Sequence, residues 1–109
     1  MSGQLLVNEL NEYSTELSSG VRLMAKYGKE YAAAESDYKI ALMQESLKLR
    51  DAGMAVTLID KVVYGKCAEQ RLKRDIAEVM YKSAQENVNS IKLQMRLLDA
   101  QISREWGCN

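Results

Sequence analysis

Apolar and small residues recur through the first half of the chain at Leu6, Leu10, Tyr13, Leu17, Gly20, Met24, Tyr27, Tyr31, Ala34, Tyr38 and Ala41. The steps alternate between four and three, the spacing that keeps one side of a helix against a partner helix. A second stripe with the same alternation runs Ala77, Tyr81, Ala84, Val88, Ile91, Met95, Leu98 and Ile102. Two long helices follow, about 4–52 and about 67–106, each carrying one continuous seam. Ser18, Ser19 and Gly20 have poor helix propensity and mark the weak point of the first. Because the stripe keeps its register across them, an unbroken helix is expected.

The stretch between the seams, residues 53–66, reads as a corner. Gly53 follows the charged turn Lys48-Leu49-Arg50-Asp51, and glycine readily takes the left-handed conformation of a helix C-cap. Thr57 stands three residues before Asp60, a capping-box spacing with a shortened carboxylate. It predicts a short helix through Leu58–Tyr64 that Gly65 closes, with Val56, Ile59, Val62 and Val63 plugging the end of the hairpin. The expected fold is all-α: one domain over 1–109, a long antiparallel helical hairpin with a short helix at its corner.

Some apolar residues fall out of phase with the seams. Ile40, Met43 and Leu47 on the first helix, and Leu93 and Leu97 on the second, cannot share a seam with their neighbours. They predict association. A homodimer that completes a four-helix bundle is the simplest cover, and a different protein partner would serve as well. Leu72, Ile76, Val79 and Met80 read as widening the second seam near the corner. Tyr13, Tyr27, Tyr31 and Tyr38 are expected to place rings in the seam and hydroxyls at its edge. Glu35 with Lys39, and Glu78 with Lys82, have the i, i+4 spacing of ion pairs on the exposed side.

Composition narrows the chemistry. Proline and phenylalanine are absent, and good helix formers dominate. Fifteen basic residues balance fifteen acidic ones, so no net field draws the chain to nucleic acid or anionic lipid. No histidine is present, which removes Ser-His and Cys-His couples and histidine metal sites. Cys67 and Cys108 stand far apart with no neighbouring Cys or His, too few for zinc. Glu9, Glu12 and Glu16 share a helix face, but a di-metal bundle needs four carboxylates and histidines. No glycine-rich phosphate loop, nucleophile elbow or paired-carboxylate cleft is found. A non-enzymatic protein without cofactor, metal or small-molecule substrate is expected. The absence of an export signal or a membrane-length apolar run, with two unpaired thiols, points to the cytoplasm.

Charge is nonetheless uneven. Residues 46–74 hold seven Lys/Arg against three Asp/Glu, including Lys61, Lys66, Arg71, Lys73 and Arg74, the candidate nucleic-acid contacts. The corner also has the outline of a helix-turn-helix, with Gly53 at the turn. Its reading helix, however, would offer only Asp60 and Lys61, where base readers present several Arg, Asn, Gln or Ser. The bend of a hairpin is the better reading, and an accessory nucleic-acid role is its alternative.

The pieces "LRDAGMAVTLI", "AEVMYKSAQENVNSIKLQMRLL" and the closing "REWG" bring in a resemblance. Residues 48–107 are similar to small early-region proteins of tailed bacteriophages and prophages of low-GC Gram-positive bacteria. The resemblance implies a bacterial cytosol during infection or lysogeny, and a setting of phage replication, recombination or interference with the host. It carries no activity and no catalytic residue, so a phage or host protein is the partner class it implies.

Overall fold

A computed structural model describes residues 3–106. Three helices follow one another: α1 over Gly3–Asp51, α2 over Val56–Lys66 and α3 over Ala68–Trp106. Among the described residues there is no strand, and α1 packs against α3 as an all-α hairpin. Gly107 and Cys108, the second of the two thiols, lie outside the described residues.

Packing divides the chain into two compact units, Met1–Lys26 with Lys82–Asn109, and Tyr27–Tyr81. In the first, Leu6, Val88, Ile91 and Leu98 are buried between α1 and α3. α1 runs straight through Ser18-Ser19-Gly20 as helix. The reason is tertiary. Gly20 is buried, and a Cβ there would sit 3.3 Å from Val88 Cγ2, so the missing side chain lets the two helices approach. Close packing at that point offsets the poor propensity of the three residues.

The second unit holds the corner. α1 ends in a Schellman arrangement: the Gly53 N–H donates to Arg50 O at 3.0 Å and the Met54 N–H to Leu49 O at 3.0 Å. Gly53 has φ +84°, the left-handed conformation expected of it. Tyr38, Ile59, Val63 and Cys67 form the core beneath, with Ala41, Leu42, Leu49 and Met54 packed against them. α2 and α3 are joined by a single residue. Cys67 caps the C-terminus of α2, its N–H donating to Val63 O at 2.9 Å, while its own carbonyl accepts from Arg71 N at 3.0 Å.

Four corner expectations need correction. α2 begins at Val56 with Ala55 as N-cap and no side-chain cap bond, so Thr57 lies inside the first turn and forms no capping box with Asp60. The turn out of the Schellman cap leaves Ala55 extended, at ψ 133°, and starts the helix at Val56, one residue before Thr57. Gly65 lies within α2 and does not close it; the stop comes at Cys67, where the core requires the chain to turn. Val56 is 77% exposed and plugs nothing, whereas Ile59 and Val63 do. Cys67, read as an isolated thiol, is a core residue.

Candidate association surface

Every residue of both predicted seams is buried or half-buried, so the stripes do face each other. The side chains left over turn outward. At about 3.6 residues per turn, Ile40, Met43 and Leu47 come round to the side of α1 opposite Tyr38, Ala41 and Glu45. They are 45%, 58% and 47% exposed. Two shallow grooves lie along this row. One of about 420 Å³ is lined by Ala32, Ser36, Ile40 and Met43. The other, about 170 Å³, lies between Leu47 and Arg50 of α1 and Val56, Ile59 and Asp60 of α2. In the other unit, Leu93 and Leu97 likewise point away from Ile91, Met95 and Leu98, and both are exposed.

The expectation for Leu72, Ile76, Val79 and Met80 was wrong. These residues do not widen the seam; they form a separate outward row on α3. The signal was present in the sequence, because Leu72, Ile76 and Val79 step four and three in a phase of their own, about half a turn from Ala77, Tyr81 and Ala84. Both α1 and α3 of this unit thus carry apolar residues front and back. A two-helix hairpin can cover only the front.

The basic residues of the corner are mostly engaged by their own chain. Lys66 Nζ lies 3.8 Å from Glu45 Oε2, and Lys73 Nζ 3.6 Å from Glu69 Oε1. Arg71 donates to Tyr64 O at 2.8 Å, with its guanidinium 3.5 Å from the centre of the Tyr64 ring. Arg74 donates to Asp75 Oδ1 through Nε and Nη2 and lies over the Tyr38 ring at 4.6 Å. Arg71 and Arg74 are half-buried by these contacts, while Lys61, Lys66 and Lys73 are exposed. Lys73 falls on the other side of α3 from Arg71, so the basic residues of this helix do not share one face. Around Asp60 and Lys61, α2 exposes Val56, Leu58 and Tyr64, an apolar surface that offers bases little to bond. Among the described residues, no three His, Cys, Asp or Glu side chains converge where a metal ion could be held, Glu9, Glu12 and Glu16 included. Among those residues, too, no helix is long and apolar enough to cross a membrane.

Comparison with known protein families, curated proteins and solved structures finds no match to this chain.

One polar clasp crosses the seam. Tyr31 Oη donates to Glu78 Oε2 at 2.8 Å, and the Tyr31 and Tyr81 rings stack with centroids 6.0 Å apart. Glu78 is thus half-buried and accepts a hydrogen bond from α1, although its spacing from Lys82 placed it on the exposed side. Lys39 Nζ lies 3.7 Å from Glu35 Oε1, as its spacing predicts. The bond to Glu78, with desolvation and the charges of Glu35 and Glu78, holds the Tyr31 hydroxyl above the ordinary value, against the smaller pull of Arg74. A raised folded-state value means the clasp stabilises fully below the ordinary tyrosine range of about 10 and is lost as pH rises through the raised value. Tyr31→Phe is expected to lower the melting temperature at neutral pH and to remove from an absorbance titration a tyrosinate component that rises above about pH 10. An unchanged titration curve would refute the clasp.

Proposed function

We propose that this chain is a non-enzymatic helical-hairpin protein that works by protein–protein association, with itself and with a phage or host protein that it binds or inhibits. The carrying observation is the set of outward apolar side chains Ile40, Met43, Leu47, Leu93 and Leu97, each between 45% and 58% exposed. Single exposed leucines are ordinary on a protein surface; rows of them mark interaction sites. Covering a half-exposed side chain of this size stabilises by about 1 kcal/mol, so the three residues of α1 have about 3 kcal/mol and the two leucines of α3 about 2 kcal/mol to contribute to a partner. The resemblance of residues 48–107 to phage early-region proteins supports the setting, the cytoplasm of an infected or lysogenic bacterium. The engagement of Lys66, Arg71, Lys73 and Arg74 within the chain weighs against the nucleic-acid alternative.

The test uses exposure to separate folding from association. Because Leu93 and Leu97 are already half in water, Leu93→Glu with Leu97→Glu should leave helix content intact. The mass in solution should fall, or a protein captured from host extract should be lost. Ile40→Glu with Met43→Glu should act in the same way on the other row. If mass, melting temperature and captured proteins are all unchanged in both variants, these rows are not association surfaces. Salt-dependent retention on DNA, abolished by reversing Arg71, Lys73 and Arg74, would replace this reading with the nucleic-acid one.

A further inference from the structure

We infer that the outward row of α3 formed by Ser90, Leu93, Leu97 and Ala100 is the surface on which a second copy of this chain docks, the two α3 helices crossing antiparallel. The inference rests on the association reading above and says which exposed row takes the copy, and in which orientation. All four residues are exposed, and all belong to the unit Met1–Lys26 with Lys82–Asn109. Their steps are three, four and three, so the row has the same order from either end: small, Leu, Leu, small. A two-fold axis between Leu93 and Leu97 sets Leu93 against Leu97 of the copy, Leu97 against Leu93, and Ser90 against Ala100 on both sides. Each large side chain meets a large one, and the small residues beyond them let the helices close in. The row of α1 lacks this symmetry, because the same operation lays Leu47 against Ser36.

The polar edges of the row point to the same occupant. Arg96 and Asp99 follow one edge, a turn apart, and line one groove of about 430 Å³ with Leu10, Ser14 and Met95. Both are exposed, and neither has a side-chain hydrogen bond or ion pair among the described residues. In an antiparallel pair like edges meet, so Arg96 of each copy comes within a helical turn of Asp99 of the other, and the axis makes two such pairs. The two Arg96 side chains flank the axis, and Asp99 of the opposite copy offsets the repulsion between them. The second edge carries Asn87, Gln94 and Gln101. An amide both donates and accepts, so Gln94 finds its complement in Gln94 of the copy, and Asn87 in Gln101. Neither edge demands a charge that this chain lacks. A parallel pair would part Arg96 from Asp99 and set Glu86, the next position of the row, against its own counterpart.

A few turns of one helix supply less than the roughly 800 Å² per partner of a standard interface, so the dimer should depend on concentration in the micromolar range. Sedimentation equilibrium of the full chain, from about 10 to 500 µM, reads this directly. The wild-type mass should climb toward twice that of the chain. Leu97→Glu should stay monomeric over the whole range with its helix content unchanged, because Leu97 is exposed. At low salt, Arg96→Asp and Asp99→Arg should each weaken the dimer about tenfold, and the two together should restore it. A wild-type monomer throughout, a Leu97→Glu dimer as tight as wild type, or a double exchange no better than the single ones would each overturn the inference. The association reading fails separately. A dimer broken by Val79→Glu but not by Leu97→Glu would keep self-association and move its face. A wild-type monomer that still loses a captured protein through Met43→Glu would keep the binding of another partner.

Discussion

Val63→Asp is expected to unfold the corner of the hairpin, whereas Val56→Asp, on the same short helix, is expected to leave it standing. Val63 is 2% exposed within the cluster of Tyr38, Ile59 and Cys67, while Val56 is 77% exposed. Removing a fully buried valine forfeits about 1.5–3 kcal/mol of burial. Putting a carboxylate into this apolar cluster adds a penalty of several kcal/mol for burying a charge. The sum exceeds about 4 kcal/mol, most of what a small domain has to spare. At Val56 the same change touches solvent on the first residue of α2, where a negative charge near a helix N-terminus is mildly favourable by about 0.3–1 kcal/mol. Thermal melts followed by circular dichroism should place the two variants more than about 15 °C apart. If they melt within a few degrees of each other, Ile59 and Val63 are not the inner face of α2.

Gly53→Ala and Gly65→Ala are expected to change stability in opposite directions. Gly53 has φ +84°, with no atom within 4 Å of where a Cβ would be, so its cost is purely that of the backbone. Holding alanine in the left-handed region costs about 1–2 kcal/mol, partly offset by the lost freedom of the unfolded chain. A net loss of about 1 kcal/mol follows. Gly65 also has open space around it but lies within α2 in ordinary helical conformation. Alanine there should gain up to about 1 kcal/mol of helix propensity. The two melting temperatures should thus lie roughly 8 °C apart with the wild type between them. Gly53→Ala melting at or above wild type would show that the Schellman cap does not hold the end of α1.

Much of this architecture was legible because its signals are local and periodic. The four-three stripes placed Leu6 through Ala41 and Ala77 through Ile102 at the seams, and all of them are covered. Gly53 marked the end of α1 because only glycine takes positive φ without cost. The same arithmetic threw Ile40, Met43, Leu47, Leu93 and Leu97 out of phase, and all five are exposed. The corner was harder. A Thr-x-x-Asp spacing competes with a backbone that has already begun its helix at Val56, and capping spacing alone cannot tell which start wins. Gly65 carries no mark that separates a glycine inside a helix from one beyond it.

Sequence alone determined that two long helices form, where the first ends, and which side of each meets the other, since propensity and periodicity are properties of a single segment. Only the tertiary structure decided that Gly20 holds α1 together, that Cys67 sits in a core, that Glu78 turns inward to Tyr31, and that Leu72, Ile76 and Val79 face outward. The physical reason is the same in each case. A side chain's periodicity says which neighbours share its face, but its burial depends on a second helix whose depth and rotation are set by packing over many residues at once.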